Sequence, residues 1–250
     1  MSDTIILKAS NQEDFTGYKI NRHNINLIKE SLENDKSPLL PNDKGIINVV
    51  PIINLNTGYV LNGKEQLIAQ TVRKNNGYES NYVGTKTILD KAKTTRSEEK
   101  ENKDLGFSVN YKTSNGDFSS AKYYFAEDAL HPDRIEKYAK ENTKQNFTLQ
   151  NQTIKVETVG SFLPSYFAAV KSGAKVAVSK EVFDEFKDMM IKTCTNELAK
   201  KENKNVDYEP LNKMLLEADI EANKIVKSLL QENSPKPKRE FHRKEIERQH

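Results

Sequence analysis

The stretch Pro51-Ile52-Ile53-Asn54-Leu55-Asn56-Thr57-Gly58-Tyr59-Val60-Leu61-Asn62-Gly63-Lys64-Glu65-Gln66-Leu67 decides how the chain is read. Its first part closes a β-branched run, residues 45–55, that reads as a buried strand, with Pro51 marking a bulge or an edge because proline cannot donate to a ladder. Asn56-Thr57-Gly58 is turn chemistry. From Gly63 the pattern changes to a helix over residues 63–75, with Leu67, Ile68 and Val72 on one side. Asn76-Gly77 ends it, since glycine accepts the left-handed conformation that follows a helix.

Working outward, residues 4–8 read as a short strand and residues 22–33 as a helix whose Ile25, Ile28 and Leu32 share a face. A short helix is expected over 85–93, then a mixed-charge loop over 94–104 with almost no apolar content. Strands over 105–113 and 118–125 are joined by Ser114-Asn115-Gly116-Asp117, a hairpin signal, because Asn-Gly suits the positive φ angles of a tight turn. Residues 127–142 read as helix with a break at His131-Pro132. Around 142–152 the composition shifts to Asn, Gln and Thr, and a boundary is placed there. Beyond it the reading is mainly helical. Helices over 181–200 (Val182, Phe186, Met190, Cys194, Leu198) and 210–232 (Leu211, Leu215, Ala218, Ala222, Ile225, Leu229) would form an αα-hairpin. The expected architecture is thus α+β over residues 1–150, with a small antiparallel sheet, a hairpin and flanking helices. A helical domain follows over 151–232, and a disordered basic tail over 233–250.

Composition bounds the function. The chain has 250 residues, 36% hydrophobic and 30% charged, against about 45–50% apolar in ordinary domains. No run approaches the roughly 20 apolar residues of a membrane span, and residues 1–10 do not form a secretory signal. The single cysteine, Cys194, excludes an intramolecular disulfide. A reducing, cytoplasmic setting is the default. Six basic and three acidic residues in 233–250 make that tail +3, the whole net charge of the chain, so residues 1–232 are neutral. Any nucleic-acid site is therefore a local stripe or the tail.

Enzymatic signatures are missing. There is no His-Glu-x-x-His, no phosphate loop with Gly-Lys-Ser/Thr and no Gly-x-Ser-x-Gly elbow. His23, His131, His242 and His250 have no ligand spacing, and Cys194 sits on an apolar helix face, as a small buried thiol does. No catalytic residue, no metal and no cofactor is assigned. The protein is expected not to be an enzyme.

The residues from Pro51 to His131 carry a resemblance. After the quoted stretch come Gly77-Tyr78 with Ser80 and Tyr82, then Leu105-Gly106-Phe107-Ser108-Val109, then Tyr123-Tyr124-Phe125-Ala126-Glu127-Asp128-Ala129. This order resembles the N-terminal domain of ArdC-type antirestriction proteins over about a third of the chain. Leu61 stands where that family has tyrosine, Glu65 where it has asparagine, and Tyr82 where it often has tryptophan. The family's C-terminal metallopeptidase domain has no counterpart, so no peptidase activity is carried over. The resemblance implies an α+β module that binds single-stranded DNA, in a mobile-element setting.

Binding a single strand needs cations along a groove and aromatic faces for stacking. Residues 64–96 hold seven cations against three carboxylates. Lys64, Arg73, Lys74 and Lys86 are the expected phosphate contacts, and Tyr78 and Tyr82 the expected stacking faces, with Tyr59 nearby. DNA is expected in preference to RNA. The competing expectation is a protein–protein or dimerisation module using residues 181–232, without nucleic-acid affinity. No membrane partner is expected.

Overall fold

The computed structural model describes residues 20–96, 105–112, 118–200 and 209–232. The expected strand over 4–8, the turn at 114–117 and the tail at 233–250 lie outside them. The fold is α+β with a helical C-terminal part. Helix α1 (Arg22–Glu33) begins at Asn21, whose side chain accepts the Asn24 N–H at 2.8 Å, and buries Ile25, Ile28 and Leu32. This satisfies one of the donors that a helix start leaves open. The β-branched run divides around Pro51 into two short strands that join different sheets, β1 (Ile46–Ile47) and β2 (Ile53–Asn54). After β3 (Tyr59–Val60) comes α2 (Gly63–Asn76), capped by Asn62 at its start and by Gly77 at φ 66° at its end.

Then follow β4 (Tyr82–Gly84), α3 (Lys86–Lys91), β5 (Phe107–Lys112) and β6 (Phe118–Phe125), a 3-10 turn over Ala126–Asp128, and α4 (Pro132–Asn142). The five-stranded sheet has the order β3-β2-β4-β6-β5. It is mixed, not purely antiparallel: β2 runs parallel to β4 with Ile53 opposite Tyr82, and the other pairs are antiparallel.

Beyond residue 150 the chain is not only helical. β7 (Thr153–Val156), α5 (Val159–Ser172) and β8 (Lys175–Val178) make a βαβ unit, with Ile154 opposite Val176 in parallel register. β1 completes that sheet by pairing antiparallel with β8, Ile46 opposite Ala177. α6 (Lys180–Ala199) packs mainly on α1, and α7 (Glu209–Glu232) mainly on α5, while the two helices also touch each other.

The main core runs from Ile25 and Leu67 through Phe125 to Tyr166, Phe186, Cys194 and Leu215. Residues on both sides of position 150 share this core and the β1-β8-β7 sheet, and the expected boundary falls inside that arrangement. Successive side chains of a strand point to opposite faces. Accordingly Tyr123 and Phe125 join the main core, whereas Tyr124 joins a smaller one with Leu55, Ile88, Leu89 and Ile135 beneath α3 and α4. Those two short helices carry the outer surface on which the candidate site lies.

Candidate nucleic-acid interface

The Gly63-Lys64 start of α2 turns inward. The Gly63 N–H at the start of α2 donates to Asp219 Oδ1 of α7 (3.0 Å), and that carboxylate also pairs with Lys171 of α5 at 2.9 Å. Lys64, the next residue, is only 8% exposed, and burial pushes its ammonium pKa down to about 7. A cation held inside the α2 start cannot lie along a solvent groove. The expectation for Lys64 as a phosphate contact is corrected on that ground.

Two more of the expected cations have backbone work. Arg73 donates from Nε to the Ser80 carbonyl (2.9 Å) and from Nη2 to the Glu79 carbonyl (2.7 Å), so its guanidinium braces the loop after α2. Lys74 is exposed, but its Nζ donates to the Ser37 carbonyl at 2.7 Å, and partial burial lowers its pKa.

The tyrosines divide as well. Tyr78 donates its hydroxyl to Asp128 Oδ1 (2.6 Å) and packs its ring 5.4 Å from that of Phe125, and burial holds its pKa above the usual value. It is a core-edge residue. Tyr82 is half-buried against the smaller core and lines a cleft of about 470 Å³. The charged residues lining that cleft are Glu79, Glu127 and Glu136. Glu127 Oε1 accepts the N–H groups of Glu79 (2.7 Å) and Ser80 (2.5 Å), which fixes the cleft floor. Three carboxylates around one aromatic face repel a phosphodiester strand.

Lys86 is exposed at the first position of α3. The side chain of Asn56, from the Asn-Thr-Gly turn, ties this helix start down. Its Nδ2 donates to Thr85 Oγ1 (2.8 Å), and its Oδ1 accepts the Thr85 N–H (3.1 Å). Lys91, Lys93 and Arg96 follow on the same segment, all exposed, with Asp90 as the exposed acid among them. Lys93 adopts φ 55°, a left-handed conformation that turns the chain out of α3.

The sequence reading missed the segment beside these cations. Residues 129–134 lie against 93–96. Ala129 and Arg96 form a β-bridge, the Leu130 N–H donates to the Thr95 carbonyl (2.8 Å), and the His131 N–H donates to Thr94 Oγ1 (3.1 Å). Arg134 adds a bond from Nη1 to the Lys93 carbonyl. Leu130 is 49% exposed, the large apolar side chain that stands out to solvent among the described residues, and His131 is exposed beside it. The only sequence signal for this segment was the helix break at His131-Pro132, which marks a turn and says nothing of its neighbour.

Among the described residues no group of three or more His, Cys, Asp or Glu side chains is placed to hold a metal, and no helix is long and apolar enough to cross a membrane. Cys194 is buried and its thiol pKa is pushed up to about 12 by burial. No family model and no curated protein matches the chain. Among solved structures, it is similar to the metal-free crystal structure of the antirestriction protein ArdC from the R388 plasmid, at 13% identity and a TM-score of 0.38. That match covers 85% of this chain and 96% of the other.

Proposed function

We propose that this is a non-enzymatic, cytoplasmic protein that binds single-stranded nucleic acid, DNA in preference to RNA, in an antirestriction or mobile-element setting. The observation that carries the reading is the surface of residues 86–96, where Lys86, Lys91, Lys93 and Arg96 are all exposed on a body with no net charge. A local cationic stripe is what phosphate contact requires when the global field is absent. The preference for DNA and the biological setting rest on the resemblance of residues 51–131. The protein-partner reading finds little support. The large apolar residues of α6 and α7 are buried or half-buried, and the exposed Leu130 lies elsewhere.

The test is a salt titration of binding to fluorescently labelled oligo-dT, with oligo-rU and a duplex of equal length alongside. Counterion release predicts that log affinity falls linearly with log salt, by about 0.7 per phosphate neutralised on a single strand. Four phosphate contacts give a slope near −2.8, on the order set by that constant. A wild-type protein with no salt-sensitive binding to oligo-dT at low ionic strength would remove this reading.

A further inference from the structure

We infer that the turn Leu130-His131 is the base-contacting platform of the interface, with the phosphates running along Lys93, Arg96 and Arg134. This rests on the single-strand reading above and replaces Tyr78 and Tyr82 as the stacking faces. A single strand offers what a duplex does not, namely unstacked base faces. A protein that uses them needs an exposed apolar or aromatic side chain next to cations, held firmly enough that contact costs little ordering.

Leu130 and His131 meet each requirement. Both side chains are exposed. Their backbone N–H groups are both tied to the cationic segment, at Thr95 and Thr94, so the platform and the cations form one pinned surface. Arg134, one helical turn further on, reaches back to the Lys93 carbonyl and closes the arrangement. Exposing a leucine carries no benefit to the fold, since a buried leucine stabilises and a solvated one does not. Histidine is among the rings on which splayed bases stack. The rival platforms fail physically: Tyr78 is engaged with Asp128 and Phe125, and Tyr82 faces a cleft of carboxylates.

The experiment measures oligo-dT and duplex binding across salt for the full chain and for Leu130→Ser, His131→Ala, His131→Tyr and the pair Lys93→Ala with Arg96→Ala. Thermal unfolding of each variant is followed in parallel. Leu130→Ser and His131→Ala should each weaken single-strand binding by about five- to a hundredfold with the salt slope unchanged, and leave duplex binding as it was. His131→Tyr, which keeps an aromatic face, should bind within about twofold of wild type by the same stacking argument. The Lys93/Arg96 pair should instead flatten the slope by about 1.4. If wild type binds with a salt slope but Leu130→Ser and His131→Ala bind as wild type does, the platform is wrong and the single-strand reading stands. His131→Tyr losing as much as His131→Ala would overturn stacking. A wild type without salt-sensitive binding removes both.

Discussion

Gly63 shows how far one position can depart from the role its motif suggests. It lies in the stretch expected to contact nucleic acid, yet a Cβ built there would lie 2.6 Å from Asp219 Oδ1 and 2.6 Å from the ring of Phe167. Neither neighbour can yield easily, because Phe167 is fully buried and Asp219 is held by Lys171. Gly63→Ala should therefore cost about 1–3 kcal/mol in urea unfolding, the range for overpacking a filled site. Lys64 gives a second residue-scale prediction, in pH. Its folded pKa is about 7 against 10.5 when solvated. Between those values the unfolded chain holds a proton that the folded chain lacks, so this lysine makes stability rise with pH across about 7 to 10.5, by up to about 1.4 kcal/mol per pH unit. Below that window its penalty is constant and complete. Lys64→Met should be more stable than wild type at pH 7 and should flatten the rise between pH 7 and 10, with Glu65 common to both proteins. The opposite sign, a variant less stable at pH 7, would mean that the ammonium is held by more than it loses. The sequence showed seven cations in 64–96, but which of them stay available is decided by the burial of Lys64 and by the Ser80, Glu79 and Ser37 carbonyls that hold Arg73 and Lys74, which no local pattern records.

At the scale of elements, the legible parts are those with a periodic face and a terminating residue. α1 spans the same residues as its expected helix, and α2 ends one residue past its own, because Ile25, Ile28 and Leu32 or Leu67, Ile68 and Val72 repeat at helical spacing before Asn34 and Gly77. The βαβ unit was not legible. α5 is buried over most of its surface, so Phe162, Leu163, Tyr166, Phe167 and Val170 leave no polar stripe to reveal a period, and Pro164 inside it argues against a helix. β7 and β8 are four residues each, short enough to pass as loop. α7 is fixed by one of its own carboxylates. Its Asp219 supplies an acceptor to the α2 start and a counter-charge to Lys171, with side chains 11% and 12% exposed. Removing Asp219 takes away the counter-charge of Lys171, which keeps Asn223 Oδ1 as an acceptor at 2.7 Å, so the cost falls at the low end of the roughly 3–5 kcal/mol typical of a broken buried pair. Asp219→Ala should lose about that much in urea unfolding, and amide exchange should show α7 and the first turn of α2 losing protection together. Loss confined to α7 would mean that the Gly63 bond contributes nothing to the helix start.

The whole molecule sets the terms on which any binding must work. Because the main core and the β1-β8-β7 sheet both draw on residues either side of position 150, urea unfolding should be a single transition whether followed by circular dichroism or by tyrosine fluorescence. A fragment of residues 1–150 should lack cooperative unfolding, since it would expose Leu67, Phe125 and the rest of the shared core. Charge is distributed differently from packing. Residues 1–232 are neutral overall and expose Lys86, Lys91, Lys93 and Arg96 within one short segment, while the sequence places the entire net charge of +3 in residues 233–250. Two sources of attraction for phosphate follow, and they separate by experiment. If the stripe is the binding surface and the tail a tether, a chain ending at residue 232 should keep single-strand binding with its slope reduced by no more than about 2, three net charges at about 0.7 each. Its sensitivity to His131→Ala should persist, because base contact belongs to the folded surface. If instead the shortened chain loses all salt-dependent binding while its unfolding curve is unchanged, the tail alone attracts nucleic acid and residues 86–96 are an ordinary solvated face.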